Sequence, residues 1–186
     1  TGNLYLSFGG AASTGNAYIR HYNGSAWVND VIVENSGQVG IGVLTPESIL
    51  HISATGQTTY IADAYSSTAS TGAAFAGRRS RGTAAAPTAV LAEDTLVAFG
   101  GRGYMGSGFT STMSSRVNIA ATENWNTTSN GARMTFYTTD NGTSTSSERM
   151  RIDHNGEVGI GTTAPGSTLD VNGTIRATSI CDRSGT

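Results

Sequence analysis

The sequence contains no lysine, a single cysteine and three prolines, and only 13% of its 186 residues are charged. That charged share is about half of the ~25% usual for a soluble globular domain. All 11 basic residues are arginine and the formal net charge is −2, so no bulk electrostatic argument points to nucleic acid or an anionic membrane. Cys181 cannot form a disulfide framework within the chain. No run of ~18 apolar residues exists, so no membrane-spanning helix and no membrane insertion are expected. Glycine shows no period of three, which removes collagen. There is no basic-then-apolar leader, and the first residue is Thr1, so we expect a piece of something longer.

What is present is small. Gly, Ala, Ser and Thr supply 95 of the 186 residues. Val, Ile, Leu, Phe, Trp and Tyr recur in short alternating runs, which argues against disorder. The composition implies a turn-rich β protein with a thin core, and raises the expectation of an oligomer that completes its core between subunits.

A repeat organises the chain. Residues 34–53 (ENSGQVGIGVLTPESILHIS) and 153–172 (DHNGEVGIGTTAPGSTLDVN) match at eight of twenty positions with a constant offset of 119 and no gap. In each copy a Ser-Gly or Asn-Gly turn precedes a short strand. Val39 and Ile41 (Val158 and Ile160) share one strand face, and Gly40 and Gly42 (Gly159 and Gly161) share the other. A bare glycine face lets another backbone approach closely, which suits packing near a symmetry axis. These eight residues are the candidates for packing between subunits. Pro46 and Pro165 then stop the strand. The boundaries read as an N-terminal β segment (1–33), connector 1 (34–53), a β-rich head (54–150), connector 2 (151–172) and a C-terminal distal segment (173–186).

Alternation predicts strands at Arg116–Ala121, Ala132–Tyr137 and around Met150 and Ile152. The apolar run Thr95–Phe99 suits a strand buried on both faces. No helix is expected; Ala84–Ala92 comes nearest, and Pro87 interrupts it. The fold class is all-β.

Several strings resemble a known family. Glu148-Arg149-Met150-Arg151-Ile152-Asp153, followed by Asn155-Gly156 and Val158-Gly159-Ile160-Gly161-Thr162-Thr163, resembles a segment common in trimeric fibres. These are the tail fibres of bacteriophages and the mosaic adhesive trimer fibres of predatory bacteria. Arg79-Ser80-Arg81-Gly82-Thr83, Gly101-Arg102-Gly103-Tyr104, Glu123-Asn124-Trp125 and Phe136-Tyr137-Thr138-Thr139 resemble a fibre-head pattern. Gly173 through Asp182 is similar to the approach to a fibre's distal end, where relatives often continue into a self-cleaving intramolecular chaperone. The resemblance covers roughly residues 71–186 and 34–50. It implies an intertwined homotrimer whose sandwich- or barrel-like head is flanked by the two connectors, on an extracellular fibre of a virion or bacterial surface. Met105 and Glu93 depart from the family's common residues, so loop chemistry is not carried over.

The residues themselves favour binding over catalysis. The Gly-x-Gly motifs lack the third glycine and the helix of a nucleotide loop. The three histidines lie in separate sections, which disfavours a nucleophilic triad, and Asp153 and His154 are expected to face opposite ways. No cofactor is expected, and the absence of a Cys pair, a close His pair or an Asp-rich loop predicts no metal. Glu93, Asp94 and Glu123 are the acids a polysaccharide-cleaving alternative would use. A ligand-free spacer is the other alternative. For a glycan, the candidates are Tyr104 with Arg102, Trp125 with Asn126, and Tyr65 with Asp63, because aromatic plates beside polar groups suit sugars. Trp125 fits a core position better than a plate, and Arg78, Arg79 and Arg81 read as solvated or pairing between subunits. Specificity should lie in the unpatterned loops 105–113, 126–130 and 140–147.

Overall fold

A computed structural model of the chain describes residues 4–8, in their backbone only, and residues 15–179. Cys181 and the rest of the distal segment beyond residue 179 lie outside the described residues. The chain divides into two compact units, Thr1–Ala74 and Phe75–Thr186. Every regular element among the described residues is a strand.

The first unit holds one sheet in the order β1 (Leu4–Phe8), β2 (Ala17–Tyr22), β3 (Trp27–Val33), β4 (Val39–Ile41) and β5 (Leu50–Ile52). The second begins with a two-stranded ladder, β6 (Arg81–Gly82) and β7 (Pro87–Thr88). Its main sheet runs from β8 (Thr95–Gly101) through β9 (Ser115–Ala121), β10 (Ala132–Thr139), β11 (Ser146–Ile152) and β12 (Val158–Ile160) to β13 (Leu169–Val171). In both units the pairing is antiparallel until the last pair, which is parallel. Both sheets are open.

The duplication is larger than the twenty-residue repeat. Residues of β3 plus 119 are the residues of β11. Both hairpins carry a bulge at the same place: Asp30 is skipped between the Val31 and Asn29 pairs, and Arg149 between the Met150 and Glu148 pairs. The bulged carbonyls are then used alike. Gly42 donates its N–H to the Asp30 carbonyl at 3.0 Å, and Gly161 donates to Arg149 at 2.9 Å. Ser53 donates to Ile41 and Asn172 to Ile160, each at 2.9 Å. The segments read as connectors are therefore the last two strands of each sheet.

The glycines in these strands have a reason within the chain. Gly42 and Gly161 have φ of +68° and +70°, where a side chain is strained. A Cβ on Gly40 would sit 2.4 Å from the Val43 carbonyl and 2.8 Å from Ile32 Cγ2; on Gly159 it would sit 2.8 Å from the Thr162 carbonyl. The glycine face is thus covered by the chain's own crossover between its last two strands.

Strand alternation sorts the second sheet into two faces. Val97, Phe99, Val117, Ile119, Met134, Phe136, Met150, Ile152, Val158 and Ile160 share one face by register. None of them is buried, and Phe99 is 43% exposed even with Phe75 set edge-on against it at 5.3 Å. The first sheet repeats this with Ile19, Val31, Val33, Val39 and Ile41. The opposite face of the second sheet is polar: Arg116, Asn118, Thr135, Tyr137, Glu148 and Arg151. The buried side chains Thr135, Ala120 and Arg151 lie on that side or at its margin, and Ile32 is buried in the first sheet at the position equivalent to Arg151.

Two expectations change. Thr95–Phe99 forms an edge strand with part-exposed residues, because β8 ends the strand order and pairs only with β9 among the described residues; Leu96 is the extra residue of a bulge between Thr95 and Val97. Asp153 and His154 meet at 3.0 Å, since they lie in a turn rather than in a strand.

Candidate functional site

The two ends of the second sheet are built differently. At one end, the loop after β9 closes on the segment before β8. The Trp125 amide donates to the Val90 carbonyl at 2.9 Å, and its indole N–H donates to the Gly131 carbonyl at 3.0 Å. Asn126 Oδ1 accepts from the amides of Thr128 and Ser129 at 2.8 and 3.0 Å, an Asx turn. Trp125 is a half-buried peg and Asn126 a turn former.

The same end holds an acid–arginine clamp. Arg81 grips Asp94 with two bonds, Nε at 2.6 Å and Nη2 at 2.8 Å, and Arg79 adds a third at 3.3 Å. The Leu91 amide donates to the same carboxylate at 3.0 Å. Asp94 is 7% exposed, and the Arg81 hydrogen bonds hold its carboxyl well below the usual carboxylate range. Arg133 pairs with Glu93 in the same bidentate way and lowers its carboxyl too. Arg79 and Arg81 thus both pair with Asp94 within the chain.

At the other end stand the loops 102–114 and 140–145. Residues 102–110 fold into a small finger, with Met105 donating to the Gly108 carbonyl at 2.8 Å and Thr110 to Gly103 at 3.0 Å. Gly106, at φ +92°, makes its tip. Arg102 Nε donates to the Thr110 carbonyl and ties the finger's base. Tyr104 and Phe109 meet edge-on at 5.5 Å and stay exposed.

Two cavities lie here, one of about 570 Å³ over the polar face of β8 and β9 and one of about 510 Å³ between the loops themselves. They share Thr112 and Ser144, so they form two lobes of one groove. Arg116 is the charged side chain in the lining. Its guanidinium lies 4.0 Å above the Tyr137 ring, and Nη1 donates to Ser146 Oγ at 2.8 Å.

The sequence candidates are therefore dispersed. Tyr104 and Arg102 stand beside the groove, Trp125 and Asn126 at the opposite end of the sheet. Tyr65, 94% exposed, and Asp63 belong to the irregular segment of the first unit. Two of the three loops singled out, 105–113 and 140–147, do meet. Arg116 carried no sequence signal beyond strand alternation, because its role depends on loops thirty residues apart.

No protein-family model matches this sequence, and no curated protein matches it. Solved structures do. The carboxy-terminal domain of the bacteriophage T5 L-shaped tail fibre, solved with its intramolecular chaperone domain, is similar with a TM-score of 0.65 at 17% identity. The match covers 96% of this chain and 61% of that one. A second structure of that T5 domain is similar with a TM-score of 0.61 at 16% identity, over 100% of this chain and 87% of that one. This chain thus spans about 61% of the length of the first structure. At such identities the likeness establishes a shared fold, that of a phage tail-fibre carboxy-terminal domain.

Proposed function

We propose that this chain is an adhesive domain of an extracellular phage tail fibre, working as a homotrimer that binds a glycan or other component of the cell envelope. The carrying observation is the uncovered apolar face of each sheet. Those apolar faces, part-exposed or exposed along their strands, are what neighbouring copies would cover, turning open sheets into a closed sandwich- or barrel-like head. In this reading Val39, Ile41, Val158 and Ile160 face the other copies, while the glycines between them serve the chain's own crossover. Three weak sites on one tip then act together through avidity.

Binding without catalysis is also our reading. Glu93, Asp94 and Asp140 are held by arginine hydrogen bonds that lower their carboxyls, opposite to the raised value a glycosidase general acid needs. Light scattering across a concentration series tests the assembly: a trimer mass is the expected result, and a stable monomer overturns it. Binding of the purified protein to host cell envelopes tests adhesion. Shortened envelope polysaccharide after incubation would refute the non-catalytic part.

A further inference from the structure

We infer that the groove between loops 102–114 and 140–145 is the ligand site, and that its ligand is a saccharide carrying a carboxylate. This rests on the fibre-adhesin reading, because burying the apolar faces between copies leaves the polar face, and hence the groove, pointing outward. Each lobe has the size of a small-ligand site, about 300–1,000 Å³.

The lining dictates the chemistry. Thr112, Ser144 and Ser146 present hydroxyls that both donate and accept, the match for a polyhydroxylated ring. Met113 in one lobe and Met105 in the other supply soft apolar contact for sugar C–H faces. Thr110 lines the second lobe, its hydroxyl oxygen turned inward and without a hydrogen-bond partner among the described residues.

Arg116 decides the charge. Among the described residues no carboxylate lines either lobe, and the face of Tyr137 and the Ser146 hydroxyl hold its planar guanidinium in one orientation. A fixed guanidinium without a neutralising acid is suited to bidentate recognition of a carboxylate. The aromatic pair Tyr104–Phe109 stands on the finger beside the second lobe and extends the contact surface.

The test uses the whole chain and a panel of uronic- and sialic-acid oligosaccharides beside neutral oligosaccharides of the same length. The expected result is binding of acidic members with at least a tenfold preference over neutral ones. Ser144→Phe, which fills the groove from an exposed loop, and Arg116→Lys, which keeps the charge but loses the fork, should each weaken that binding at least tenfold. Circular dichroism and light scattering confirm that both variants remain folded and assembled. The inference is overturned if the wild type binds no acidic member, prefers neutral ones, or if Ser144→Phe binds as wild type does. A trimer that binds cells but ignores the panel refutes the groove alone. A monomer that binds the panel refutes the trimer and leaves the groove.

Discussion

The two sheets share a frame and differ in what plugs it. Position 32 in the first sheet corresponds to position 151 in the second. In the first it is Ile32, 2% exposed, with its Cγ2 lying where a Cβ on Gly40 would intrude. In the second it is Arg151, whose guanidinium takes Glu148 at 2.6 and 3.0 Å and the Thr163 carbonyl at 2.5 Å. The equivalent of Glu148 in the first sheet is Asn29. One backbone arrangement thus accepts either an apolar plug or an ion pair satisfied on its remaining donors. What the frame fixes is volume beside the glycine face; the chemistry filling that volume is free, provided the polar version is complete.

The largest expected effect breaks that completeness. Arg151→Ala leaves the part-buried Glu148 with only the Tyr137 hydroxyl at 3.4 Å in place of its arginine, and should cost the second unit about 3 kcal/mol in denaturant unfolding. The double change Arg151→Ile with Glu148→Asn copies the first sheet's solution and should cost less than ~1 kcal/mol. If the double variant is as unstable as Arg151→Ala, the plugs are not interchangeable. The reverse single change, Ile32→Arg, buries a charge with no acid at position 29 and belongs with the damaging class.

Next come the glycines. A Cβ on Gly42 would lie 2.2 Å from the Ser53 carbonyl, whereas on Gly161 it would lie 3.0 Å from Asn172. Both residues also carry the positive-φ penalty, about 1–2 kcal/mol. Gly42→Ala should therefore cost about 3 kcal/mol and Gly161→Ala about 2, the excess being steric. Equal costs would mean that backbone strain alone matters. The melting temperature of each variant reads the difference.

What the sequence revealed of this frame follows its physics. The repeat was legible where backbone geometry demands particular residues: Gly42 and Gly161 at positive φ, Gly40 and Gly159 under the crossover, and Pro46 and Pro165 after them. The upstream hairpin was illegible, because β3 (WVNDVIV) and β11 (SSERMRI) share no residue at equivalent positions. A strand pair asks only for apolar side chains on one face, so Val31 and Met150 serve equally. The site was half legible. The loops 105–113 and 140–147 stood out by composition, but their meeting depends on strand order, and Trp125 gave no sign that its indole is spent on the Gly131 carbonyl.

A smaller effect separates the units by pH. Glu93, Asp94 and Asp140 in the second unit are held below their ordinary values by arginine hydrogen bonds. A lowered folded-state carboxyl contributes stability that is full above the unfolded value, about 4, and is lost as pH falls below it. Trp27 and Trp125 report the two units separately. With Trp27→Phe, the Trp125 fluorescence transition should move to lower temperature between pH 5 and 3. Asp94→Asn should remove much of that slope while lowering stability at neutral pH. A Trp125 transition flat across this range would show that the clamps contribute nothing to the second unit.

The smallest expected effect on stability carries the largest functional contrast. The first unit's hairpin turns in residues 23–26 and is closed by Tyr22 against Trp27 at 5.5 Å. The equivalent hairpin of the second unit is two residues longer, 140–145, and is closed by Thr139 and Ser146. An aromatic latch has been replaced by hydroxyls, and the extra length walls the groove through Ser144 and Thr145. Replacing 140–145 with Asn-Gly-Ser-Ala, the turn of the first unit, shortens the loop without touching a strand. Loop-closure entropy changes by only a few tenths of a kcal/mol for such a deletion. The Asp140–Arg149 pair is exposed on both sides and screened by solvent, so its loss adds little. The melting temperature should therefore shift by only a few degrees, while saccharide binding falls at least tenfold. A grafted turn that keeps full binding would show that the longer loop does not make the site, and that the two hairpins differ for no reason of recognition.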